Sequence, residues 1–142
     1  MAKGGKMNDD ELIELHIEIA KARGYSVVSR PHPSDKSLVV YDLFLNGEFR
    51  SLAFSSNNAW GGAGEWLWEW ADAMQLLDEM AADEHTFGVK LMWRSNLNLW
   101  HVEVLTSQPV GVHEFGDADK KIAICLTWLA WKQSQEADAD NR

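Results

Sequence analysis

Trp60, Trp66, Trp68 and Trp70 crowd around a run of small residues, Gly61-Gly62-Ala63-Gly64, at the point where a helical pattern begins. Indole rings grouped beside a glycine loop can stack on a planar ligand such as a nucleobase, while loop amides and a helix N-terminus face an anionic group. Trp60 and Trp68 are the candidate contacts, with Asn57 and Asn58 in the loop before them; Trp66 and Trp70 fall on the face a core would claim. Arg50 and Arg94 lie near strand ends or turns and could supply the bidentate donor forks that phosphates and carboxylates favour. Two considerations weigh against the pocket. Glu65 puts a negative charge where a phosphate would sit, and the rings could equally fill the core or an oligomer interface.

The other reactive side chains form no such group. His16, His32, His85, His101 and His113 never stand at ligand spacing with a second histidine, a cysteine or paired carboxylates, so no metal site is expected. His101 and His113 could meet across a sheet beside Glu103 and Glu114 as an acid–base pair. Asp117 and Asp119 have the spacing of turn and cap chemistry. Ser55, Ser56 and Ser107 stand in no nucleophile-elbow motif, and neither a dinucleotide fingerprint nor a phosphate-binding loop occurs. The single cysteine, Cys125, sits in an apolar helical pattern, where a lone thiol packs as a small hydrophobe. No cofactor and no catalytic residue is expected.

Charge narrows the partners. Across 142 residues, 13 Lys and Arg face 22 Asp and Glu, a formal net charge of −9. That balance opposes binding to a nucleic-acid backbone, which needs cations to displace condensed counterions. It leaves open a basic protein partner, nucleic-acid mimicry or solubility alone. No apolar run reaches the length of a membrane span, and Met1 to Lys6 has no apolar stretch behind its charges. A cytoplasmic chain without contact to a membrane is expected.

The elements that must position these residues follow from periodicity. Asn8-Asp9-Asp10-Glu11 has capping-box spacing and opens a helix over 9–23, with Leu12, Leu15, Ile19 and Ala22 on one face and Ile13, Ile17 and Ala20 widening it. A strand from Tyr25 stops at Pro31 and Pro33. Strands 38–45 and 48–54 flank Asn46-Gly47, the dipeptide best suited to the positive φ angles of a tight hairpin. A helix over 65–82 follows the loop at 55–64. Strands 87–93, 99–105 and 110–115 come next, then a helix over 120–134 with Ile122, Cys125, Leu126 and Leu129 on one face and Ile124, Trp128 and Trp131 on another. So wide an apolar girth predicts self-association through Trp128 or Trp131. The expected fold is therefore α+β, with an antiparallel sheet of five to six strands and three helices in one layered sandwich, in the order α-β-β-β-α-β-β-β-α. It forms one domain over 8–134, between flexible termini 1–7 and 135–142.

Three stretches together resemble the phage ABA sandwich domain family. Glu11-Leu-Ile-Glu-Leu-His16 through Arg23-Gly-Tyr25 is similar to its opening helix. Trp70-Ala-Asp-Ala-Met-Gln-Leu-Leu-Asp-Glu-Met80 is similar to its central helix. Ile122-Ala-Ile-Cys-Leu126 with Trp128-Leu-Ala130 is similar to its closing helix. The resemblance spans about two thirds of the chain and omits the Asn46-Gly47 hairpin, the tryptophan-rich approach to the central helix and the acidic end. It implies a small phage or prophage accessory protein. Joined to the tryptophan–glycine insertion, it gives the expectation of a non-enzymatic binding protein that sequesters a nucleotide-like host signal in counter-defence. The alternative is an acidic interaction module that inhibits a host protein.

Overall fold

A computed structural model describes residues 9–34, 39–54 and 70–140. Its elements run α1 (Asp9–Ala22), β1 (Tyr25–Pro31), β2 (Val39–Leu45), β3 (Glu48–Phe54), α2 (Trp70–Ala82), β4 (Thr86–Arg94), β5 (Leu99–Ser107), β6 (Val110–Asp117) and α3 (Lys120–Asp140). The α+β class and the expected order of elements stand, but the single sheet of five to six strands is corrected. Among the described residues the strands form two antiparallel three-stranded sheets, β1-β2-β3 and β4-β5-β6. By contact the chain divides into two compact units, one over Asn8–Glu65 and the other holding Trp66–Arg142. Each sheet is a meander closed by short connections, so its hydrogen bonds are satisfied locally and no long-range pairing is needed to complete it. None of the described helices is long and apolar enough to cross a membrane.

In the first unit α1 packs on β1. Among its described side chains Leu15, His16, Ile19 and Ala20 are buried, which places a histidine inside the apolar stripe. Asn46 (φ 55°) and Gly47 (φ 80°) both adopt the left-handed backbone that a two-residue hairpin demands. The β2–β3 register passes from Leu43↔Ser51 to Phe44↔Phe49, so Arg50 is the extra residue of a bulge.

In the second unit α2 packs on β4 and on α3, and α3 also packs on β5 and β6. Among the described side chains of α2, Ala73, Leu76 and Met80 are buried. Neighbours on two sides explain the wide girth of α3: Ile122, Ala123, Ile124, Cys125, Thr127, Trp128 and Trp131 are all buried. Trp128 (1% exposed) also donates its indole N–H to Oε1 of Glu79 at 3.2 Å, and Trp131 is 5% exposed. Trp128 and Trp131, expected at a self-association surface, are thus buried within one chain, in a helix packed on α2 and the sheet. α3 also continues past 134 to Asp140, through Gln135-Glu136-Ala137, which has good helix formers and neither glycine nor proline.

Candidate functional site

Two chemical groups occupy opposite faces of the second sheet, and strand alternation is what separates them. In β5, Trp100, Val102, Val104 and Thr106 point one way; His101, Glu103 and Leu105 point the other. Val102, Val104 and Thr106 are buried on the first face, which is the face that carries the core. At its open end Trp93 pairs in register with Trp100, ring centroids 5.5 Å apart and planes at 62°, an edge-to-face contact. Trp93 remains 46% exposed. The ammonium of Lys120, the first residue of α3, lies 5.3 Å from the Trp100 ring centroid. Arg94 follows Trp93 at the same strand end and is half-buried.

The local chemistry of the loop into α3 fixes Lys120 there. Asp117, opposite Trp100 in the ladder, accepts the backbone N–H of Asp119 at 2.8 Å, and Asp119 accepts that of Lys121 at 2.8 Å. The second bond is an N-cap, so these aspartates serve as turn and cap. Burial raises the pKa of Asp117; the Asp119 amide opposes that shift and the Asp119 charge adds to it.

On the other face, Glu103 of β5 stands directly opposite Glu114 of β6, and Lys90 of β4 stands opposite Glu103 on its other side. Lys90 Nζ is 3.9 Å from Glu103 Oε1. His101, two residues before Glu103, reaches diagonally so that its Nε2 lies 3.3 Å from Glu114 Oε2. One ligand atom each from His101, Glu103 and Glu114 fall within 4.8 Å of one another. Spacing along the chain concealed this group, because it is assembled across two strands; the visible signal was the alternating His-x-Glu of β5. Leucine side chains fill the space over two glycines of this sheet, Leu99 over Gly116 and Leu105 over Gly88.

The remaining candidates are dispersed. His113 pairs in register with Val104, so it occupies the face opposite His101, and the two histidines do not meet as an acid–base pair. Partial burial lowers the pKa of His113. His16 is in the other unit, where burial lowers its pKa to about 3. Cys125 is fully buried and burial pushes its thiol pKa up, which removes it as a nucleophile at ordinary pH. Trp60, Trp68, Asn57 and Asn58 lie outside the described residues, as does the side chain of Arg50; of the expected ligand contacts, only Arg94 is placed. A shallow groove of about 180 Å³ also lies beside α1, lined by Glu14, Ile17, Lys21, Val27, Ser29 and Tyr41. Comparison with protein families, curated proteins and solved structures finds no match to this chain.

Proposed function

We propose that this chain is a non-enzymatic binding protein of the phage accessory type that captures a planar, anionic, nucleotide-like small molecule. The observation that carries the reading is the half-exposed Trp93 ring, held edge-to-face against Trp100, whose ring has Lys120 beside it. A ring fixed by its neighbour offers a stacking surface with little conformational entropy left to lose, and a nearby cation suits a phosphate. The resemblance to the phage ABA sandwich family supplies the biological setting, in which sequestering a host nucleotide signal would serve counter-defence. Native mass spectrometry of protein purified from cells, followed by denaturing release, tests this. A bound small mass is expected, with affinity falling by about 10- to 100-fold in Trp93→Ala, the loss of one stacked base. A clean apo mass, together with no binding to a panel of mono- and dinucleotides, overturns it.

A specific observation also favours the protein-interaction reading. Phe87, Val110 and Val112 are 70%, 88% and 53% exposed on a chain with a formal net charge of −9. Exposed apolar side chains anchor a partner while the acidic surface selects a basic one. Salt-sensitive capture of a basic host protein, weakened by Val110→Ser, is its expected signature.

A further inference from the structure

We propose that His101, Glu103 and Glu114 form a binding site for a first-row divalent metal ion, with Zn2+ as its fitting occupant. Like charges directly opposite on neighbouring strands destabilise a sheet. Here Glu103 and Glu114 are opposed in the middle of the β5–β6 ladder, and Lys90 and His101 stand against them from either side. Two carboxylates and a neutral imidazole balance a dication, and a single ion between the strands would relieve the repulsion of both glutamates at once.

The geometry is near what such an ion needs. Metal–nitrogen and metal–oxygen bonds of roughly 2.0–2.2 Å in a tetrahedral arrangement place ligand atoms about 3.3–3.5 Å apart. The His101–Glu114 separation of 3.3 Å already satisfies this, and the group spans no more than 4.8 Å. A rotation about the Glu103 side chain brings its oxygen in. His101 and Glu103 side chains are only 14% and 22% exposed and are held by the sheet, whereas Glu114, at 54%, leaves the outer positions to water. The imidazole decides the class of ion: nitrogen with two carboxylates suits Zn2+ and its neighbours, whereas Ca2+ and Mg2+ prefer oxygen alone. Lys90 now occupies the carboxylate of Glu103 that the ion would use. Its ammonium is 61% exposed and free to swing into solvent, so it acts as a competitor for the site.

Calorimetric titration of the full chain with Zn2+, after removal of metal by a chelator, tests the assignment. Saturable binding with one ion per chain is expected. His101→Ala, Glu103→Gln and Glu114→Gln should each weaken it by at least about tenfold, as loss of a direct ligand costs no less than loss of its supporting groups. Lys90→Met should tighten binding, a gain that a merely structural lysine would not produce. His85→Ala should leave it unchanged. All these side chains are on the sheet's outer face or in a turn, and far-UV circular dichroism verifies that each variant is folded. The proposal is overturned by the absence of saturable Zn2+ binding, by binding indifferent to His101 and Glu114, or by a site that saturates with Ca2+ and not with Zn2+.

Discussion

His16 is a titratable group fully enclosed in the apolar stripe of α1, beside Leu15, Ile19 and Ala20. Burial lowers its pKa from 6.5 to about 3, so the folded chain keeps the ring neutral at any ordinary pH. An unfolded chain protonates it near 6.5. The unfolded state therefore binds more protons between those values, and the stability present above pH 6.5 is lost as the pH falls through that window. The magnitude is about 1.4 kcal/mol for each full pH unit below 6.5, which gives about 1.4 kcal/mol at pH 5.5 and about 2.7 kcal/mol at pH 4.5. For a domain with a total stability of roughly 5–15 kcal/mol that is a large share.

Replacing His16 with leucine or with glutamine removes the titration while keeping a helix-compatible side chain. Urea unfolding of wild type, His16→Leu and His16→Gln at pH 7.5, 5.5 and 4.5 isolates it, because the carboxylates that also titrate are common to all three. Each variant differs from wild type at pH 7.5 by whatever packing or hydrogen bonding it loses. That offset should move in the variant's favour by about 2.7 kcal/mol on going to pH 4.5. If both variants shift by less than about 0.5 kcal/mol, within ordinary non-additivity, then His16 is not held neutral and the reasoning is wrong.

Other outcomes follow from single side chains. The indole N–H of Trp131 is buried without a hydrogen-bond partner among the described residues, so Trp131→Phe should change stability by no more than about 1 kcal/mol, whereas Trp128→Phe, which loses the bond to Glu79, should cost about 1–3 kcal/mol in urea unfolding. Asp117 has a raised pKa in the folded state, so its charged form is a liability that appears as the pH rises through the carboxylate range; Asp117→Asn, which can still accept the Asp119 amide, should raise Tm at pH 7 and by less at pH 3. Gly47 (φ 80°) should tolerate alanine at a cost of about 1 kcal/mol, seen as a lower Tm, since among the described residues no atom lies within 4 Å of where its Cβ would be.

Local chemistry made most elements legible in the sequence. Asn46-Gly47 marked a hairpin whose strand ends agree with the fold to within a residue, and the cap at Asp119 marked the start of the last helix. Partition of the strands was not legible, because alternation specifies which face a residue takes and says nothing of which strand lies alongside. The same gap explains Trp128 and Trp131. An apolar girth too wide for one neighbour reads equally as an oligomer surface or as a helix wedged against a sheet and a second helix. His16 could have been found, since it falls four residues after Leu12 and three before Ile19, squarely in the stripe; its polar type masked its position.

Strand parity also decides what β5 can do. His101 and Trp100 are adjacent in sequence, yet alternation turns one toward Glu114 and the other toward Trp93 and Lys120. The two candidate sites therefore share a strand without sharing a face, and a substitution on one leaves the packing of the other in place. Trp93→Ala should weaken capture of a planar anion by about 10- to 100-fold and leave Zn2+ affinity within about twofold of wild type, as expected for sites with no shared partner. His101→Ala should do the reverse. A protein in which either substitution removed both activities would require the two faces to act as one site, and the rigidity of the ladder between them gives no route for that.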